Sequence, residues 1–152
     1  MPTHYTGDEA TRRALDTFIK ISRARKMLSQ RTSRALAEYG LSESQLGALE
    51  ALYFLGPMSQ SDIGNKLLVT DGNMTMVLNN LEKRGLVGRQ RSEKDRRQVT
   101  VCLTEAGHQL ISELFPKHAQ NITNLLSILT PLEQEILGSL CKKLGQQVRE
   151  DT

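Results

Sequence analysis

The side chains best suited to recognition chemistry in this sequence are amides, hydroxyls and arginines gathered between positions 59 and 97. Asn73, Thr75, Met76 and Asn79 fall on one face of a segment with helical period, with Gly72 ahead of them and Lys83 behind. An asparagine amide sets a donor beside an acceptor, the pair that an adenine edge requires, and a threonine offers a hydroxyl and a methyl. Gly72 lets the start of such a helix come close to a phosphate. Downstream, Arg89 and Arg91 lead into a charged run of Lys94, Asp95, Arg96 and Arg97. Seven basic residues against two acidic ones lie between Lys83 and Arg97, although the whole chain carries a formal net charge of only +3. The remainder is slightly acidic, and positive charge concentrated on one small element is the footprint of a polyanionic partner. Arginine at the tip of a narrow ribbon suits a minor groove, where negative potential is strong. Asp95 would repel phosphate, so its expected role is to orient an arginine through a charge-assisted pair.

These side chains need elements to hold them. A first helix is expected from Asp8 to Tyr39, stopped by Gly40. Ser42 with Gln45, and Leu41 with Leu46, read as a capping box and a hydrophobic staple at the start of a second. Ser59 starts a short third helix, with Asp62 at its third position, and a turn is expected at Leu68 and Val69. Thr70 is expected to cap a fourth helix running from Asp71 to Arg84 and stopping at Gly85. In it Met74, Val77, Leu78 and Leu81 recur at the spacing of one buried stripe. Leu86 and Val87 open a strand, and Val99, Val101 and Leu103 alternate with polar partners in a second, so residues 92–97 read as a hairpin tip. A long helix from Thr104 to Leu129 should bend at Pro116, and Thr130, Pro131 and Glu133 announce a last one. Leu132, Ile136, Leu140, Leu144 and Val148 repeat every four residues along it, widened by Leu137 and Cys141.

The fold class that follows is mainly α (α+β). It is a winged helix-turn-helix at residues 41–103, with long helices at 1–40 and 104–152 forming a dimerisation module. The expected partners are double-stranded DNA and a second copy of the chain. Ser59, Thr70, Gly72, Asn73, Thr75, Met76, Asn79, Lys83, Arg89, Arg91, Lys94, Asp95, Arg96 and Arg97 make up the candidate DNA-binding set.

The run from Gly72 to Val87, then Asp95-Arg96-Arg97, then Leu103-Thr-Glu-Ala-Gly107, resembles the signature of MarR-type transcriptional regulators. The resemblance implies a homodimer on a pseudo-palindromic operator, usually a repressor released by a small molecule or by oxidation. It places Asn73, Thr75 and Met76 where the family contacts the major groove, and matches Asp95 and Arg97 to its wing. Position 76 is often arginine in that family; Met76 favours apolar contact with a thymine methyl instead. The resemblance also implies a cavity for a small aromatic or phenolic effector, with Arg25, Leu28, Tyr53, Phe54, Phe115 and His118 as candidate lining. Arg25 suits a carboxylate or phenolate.

Other classes find less support. The peroxide-sensing branch of that family carries its reactive cysteine in the first helix, whereas no cysteine here precedes Cys102. A thiol-based switch through Cys102 or Cys141 is the alternative to a small effector, and a winged-helix module that binds protein is the alternative to a DNA reader. Two scattered cysteines fit neither a disulfide framework nor a zinc site. His108 and His118 are offset by roughly 80° on one helix and make no ligand pair, so neither a metal nor a cofactor is expected. No catalytic constellation presents itself, and no enzyme activity is expected. Without a signal-peptide layout or an apolar run of ~20 residues, a cytoplasmic location is expected.

Overall fold

The computed structural model describes residues 3–91 and 99–150. Lys94, Asp95, Arg96 and Arg97 therefore lie outside the described residues. The elements follow one another as α1 (Glu9–Ala37), α2 (Glu43–Leu55), β1 (Met58–Ser59), α3 (Gln60–Leu67), α4 (Asp71–Lys83), β2 (Val87–Arg91), β3 (Val99–Leu103), α5 (Glu105–Leu126) and α6 (Pro131–Glu150). The chain divides into two compact units, residues 1–118 and 119–152, with the boundary inside α5.

In the first unit α2, α3 and α4 pack around Leu49, Ile63, Met74, Leu78 and Leu81, closed by Leu36 of α1, Val101 of β3 and Ile111 of α5. The sheet has the order β1-β3-β2 and both pairings are antiparallel. In the hairpin Val87 faces Leu103 and Arg91 faces Val99. Strand β1 was not legible in the sequence, because two residues pairing Met58 with Val101 and Ser59 with Thr100 are too short to show a period.

Most boundaries follow local chemistry. Asp8 caps α1 by accepting the Thr11 N–H at 2.9 Å. The helix ends two residues before the expected Tyr39. The N–H of Gly40 bonds back to Ala37 and that of Leu41 to Leu36, with Gly40 at φ +61°. The Ser42–Gln45 capping box forms with both reciprocal bonds, at 2.9 and 3.2 Å. Leu68, in the turn of the helix-turn-helix, adopts the left-handed conformation at φ 54°. Such a conformation costs a non-glycine residue about 1–2 kcal/mol. Gly64 explains why it is kept: the Val69 N–H bonds the Gly64 carbonyl at 3.0 Å, and a side chain there would sit 3.1 Å from the Val69 oxygen.

Two further expectations need correction. Thr70 precedes α4 but makes no capping bond through its side chain. The long helix ends at Leu126 rather than Leu129, where the Gln134 amide donates to the Leu126 and Leu129 carbonyls at 3.2 and 3.1 Å. Pro116 lies inside α5, which continues through it as one helix. In the second unit Thr130 and Glu133 form the expected capping box at the start of α6, with Pro131 as its first residue. No helix among the described residues is long and apolar enough to cross a membrane.

Candidate nucleic-acid interface

The site is built on α4. Its stripe of Met74, Val77, Leu78 and Leu81 is buried, as the spacing requires, and this turns the opposite face outward. Gly72, Asn73, Thr75, Met76, Asn79, Asn80 and Lys83 are all exposed. Nothing lies within 4 Å of where a side chain on Gly72 would begin, so the first turn of α4 is open to approach.

Contacts from outside the helix set two of these side chains. The Thr75 hydroxyl donates to the Asp71 carbonyl at 2.9 Å and accepts from the Gln60 amide of α3 at 2.7 Å. Its hydroxyl is thus largely occupied. Gln60 gave no signal in the sequence, because its link to Thr75 joins two helices. Arg89 reaches back from β2 to α4. One guanidinium nitrogen donates to Asn79 Oδ1 at 2.8 Å, and another pairs with the Glu82 carboxylate.

The seven clustered cations therefore divide. Arg84 is spent on the fold: it donates to the carbonyls of Gly40 at 2.7 Å and Tyr39 at 2.9 Å, tying α4 to the end of α1. Arg89 is half-buried and paired, whereas Lys83 and Arg91 are exposed. Ser59 is committed locally, accepting the Asp62 N–H at 3.1 Å and donating to the Asp62 carboxylate at 2.7 Å. Thr70 is exposed.

Behind the hairpin, the Thr104 hydroxyl donates to the Gly85 carbonyl at 2.6 Å and accepts the Gly107 N–H at 3.0 Å. The Thr104 N–H bonds the Leu86 carbonyl at 3.1 Å. This clasp fixes the exit of α4 against the start of α5, and so fixes where β2 and β3 emerge.

Four of the six expected effector-lining residues come together. Tyr53 stacks edge-on with Phe54 at 5.0 Å, Phe54 with Phe115 at 4.8 Å, and Phe115 lies 6.4 Å from His118. His108, which was not among the candidates, extends the row at 5.0 Å from Tyr53. Arg25 and Leu28 are exposed on α1 and do not join it. A cavity of about 170 Å³ adjoins His118, between Leu36 and Tyr39 of α1 and Leu114 and Lys117 of α5. The Lys117 ammonium donates to the Tyr39 hydroxyl at 3.1 Å, a bond that raises its pKa above the usual lysine value. His118 Nδ1 is buried with no hydrogen-bond partner among the described residues. Cys102 is half-buried with Sγ 3.6 Å from the Gly88 carbonyl, and Cys141 is exposed on α6.

A three-stranded sheet whose hairpin follows a helix-turn-helix, with a polar outer face on the second helix, defines a winged helix-turn-helix DNA-binding protein. The MarR family profile matches residues 41–99. The uncharacterized HTH-type transcriptional regulator YkoM of Bacillus subtilis (strain 168) is 36% identical over 138 residues, covering 91% of this chain and 90% of its own. AbsC, a MarR family transcriptional regulator from Streptomyces coelicolor, superposes with a TM-score of 0.85 over 97% of this chain and 99% of its own, at 20% identity. NadR, solved in complex with 4-hydroxyphenylacetate, superposes with a TM-score of 0.73 over 90% of this chain and 99% of its own, at 23% identity. The chain belongs to the MarR family of DNA-binding transcriptional regulators.

Proposed function

We propose that the protein works in the cytoplasm as a homodimeric repressor that binds a pseudo-palindromic operator and releases it on binding a small aromatic or phenolic effector. Residues 41–103 read DNA, while 1–40 and 104–152 pair the two copies. The exposed polar face of α4, held over a buried stripe and flanked by the β2–β3 hairpin, carries the assignment.

In this reading Gly72, Asn73, Thr75, Met76 and Asn79 face the major groove, and Met76 offers its thioether to a thymine methyl. Ser59, Thr70, Lys83 and Arg91 flank the phosphates. The wing supplies Lys94, Arg96 and Arg97, with Asp95 orienting an arginine. The aromatic row of Tyr53, Phe54, Phe115 and His118 suits a ring, and the Lys117 ammonium suits an acid or phenolate. Of that row only His118 borders the cavity of about 170 Å³, whose volume is close to the ~150 Å³ that holds one benzene ring. NadR, which shares the fold, is complexed with a phenolic acid.

Operator selection from random duplexes, followed by affinity measured against salt, tests the proposal. Replacing Arg96 and Arg97 by alanine should lower the slope of log K against log salt by about 1.8, near 0.9 for each lost phosphate contact. An unchanged affinity and slope would sink it. Thermal shifts with phenols and aromatic acids, run with and without operator, test the effector.

A further inference from the structure

On the reading that α4 enters the major groove, we infer that Arg89 is a positioning residue for sequence recognition: it fixes the Asn79 amide so that Asn79 reads bases as a donor only. Arg89 is one of the seven clustered cations and invites the role of phosphate contact. Its surroundings say otherwise. It projects from β2 back onto α4, where Asn79 and Glu82 stand three residues apart on one face. Glu82 balances its charge, and the arginine side chain keeps only 27% of its surface in water. A guanidinium neutralised in this way has little charge left to release counterions from a phosphate.

The consequence falls on Asn79. An asparagine amide has one oxygen, which accepts, and one nitrogen, which donates. Arg89 Nη2 donates to Oδ1 at 2.8 Å, and a guanidinium can only donate, so the oxygen must face β2. The nitrogen is then the end left for the groove. Pairing bidentately with adenine needs oxygen and nitrogen together, the oxygen accepting from N6 and the nitrogen donating to N7. With one Oδ1 lone pair held by Arg89 and the oxygen turned toward β2, the amide nitrogen is the end presented to the groove, and it suits acceptor edges: guanine O6 and N7, or thymine O4. Asn73 and Asn80 are exposed, and neither side chain is held by an arginine among the described residues. The three asparagines of one helix face thus differ in what they read, and a residue in the hairpin makes the difference.

The experiment compares wild type, Asn79→Ala, Arg89→Ala and the double variant by selection on random duplexes and by salt titration on the selected operator. Asn79→Ala should lower the preference at one base position per half-site by about tenfold, the size of one lost base contact. Arg89→Ala should relax the same position with the salt slope unchanged, and the double variant should lose no more than either single one. Should Arg89→Ala fail to fold, Arg89→Lys replaces it. A lysine keeps the charge but does not span both acceptors, so the base preference falls while the slope holds. A uniform affinity loss on all sequences with a slope smaller by about 0.9 would mark Arg89 as a phosphate contact and overturn the inference. So would an Asn79→Ala protein, or an Arg89→Lys protein, with unaltered preference. Absence of any enriched duplex for the wild type would instead overturn the DNA-reading assignment beneath it.

Discussion

Two residues that attract little notice as chemistry, Thr104 and Gly107, decide how α4 is mounted. A side chain on Gly107 would begin 1.9 Å from the Leu86 carbonyl oxygen, and that oxygen is already held by the Thr104 N–H. Neither partner can retreat without opening the clasp behind α4. Gly107→Ala should therefore destabilise the protein by at least about 2 kcal/mol, a fall in Tm of about 4–8 °C for a chain of this size. Gly72→Ala is the matched control, because nothing lies within 4 Å of its new methyl; its Tm should hold or rise. Equal losses in the two variants would contradict the clasp. The sequence displayed Thr104 and Gly107 as part of a resemblance, but not this reason for them, since the clash is with a carbonyl 21 positions away. The same limit hid the division among the basic residues. Lys83, Arg84 and Arg89 look alike in a charge count, yet Arg84 binds carbonyls 44 and 45 positions back along the chain.

Helix starts were the most legible elements, because a cap and its partner lie within three residues of each other. Ser42 with Gln45, Ser59 with Asp62, and Thr130 with Glu133 all pair as their spacing announces. Thr70 has the right type and place but no capping bond, and β1 has no pattern at all. The box at α6 also gives a pH dependence. Bonds from the Thr130 backbone N–H and hydroxyl hold the Glu133 carboxyl below its usual 4.5. A lowered folded pKa means that the ionised form supports the helix start above pH 4.5, and that this support is lost as pH falls through the lower folded value. Backbone chemical shifts of the first turn of α6 should move toward coil in that acid range. Glu133→Gln keeps the hydrogen-bonding box without the charge and should flatten the response. A variant that titrates like wild type would remove Glu133 as the cause.

At the scale of the whole molecule, the apolar inventory exceeds what one copy buries. Among the described residues every buried apolar side chain lies between Leu36 and Leu114. Phe18 and Met27 of α1, and Leu132, Ile136, Leu140 and Leu144 of α6, are left more than half exposed. The periodicity of the last helix was plain in the sequence, but period alone does not say whether a stripe faces its own core or another chain; its exposure in one copy favours another chain. A homodimer matters to the proposed function because one recognition helix grips one half-site. Two helices held about 34 Å apart grip two, and the second contact forms at high effective concentration. Leu140→Glu puts a charge in the middle of the stripe without touching the buried core. The variant should keep its helical circular dichroism, sediment as a monomer, and bind a two-half-site operator about 100-fold or more weakly, while its affinity for an isolated half-site stays near that of wild type. If Leu140→Glu still sediments as a dimer and holds the operator at full strength, the pairing surface lies elsewhere and α6 owes its stripe to something other than a second copy.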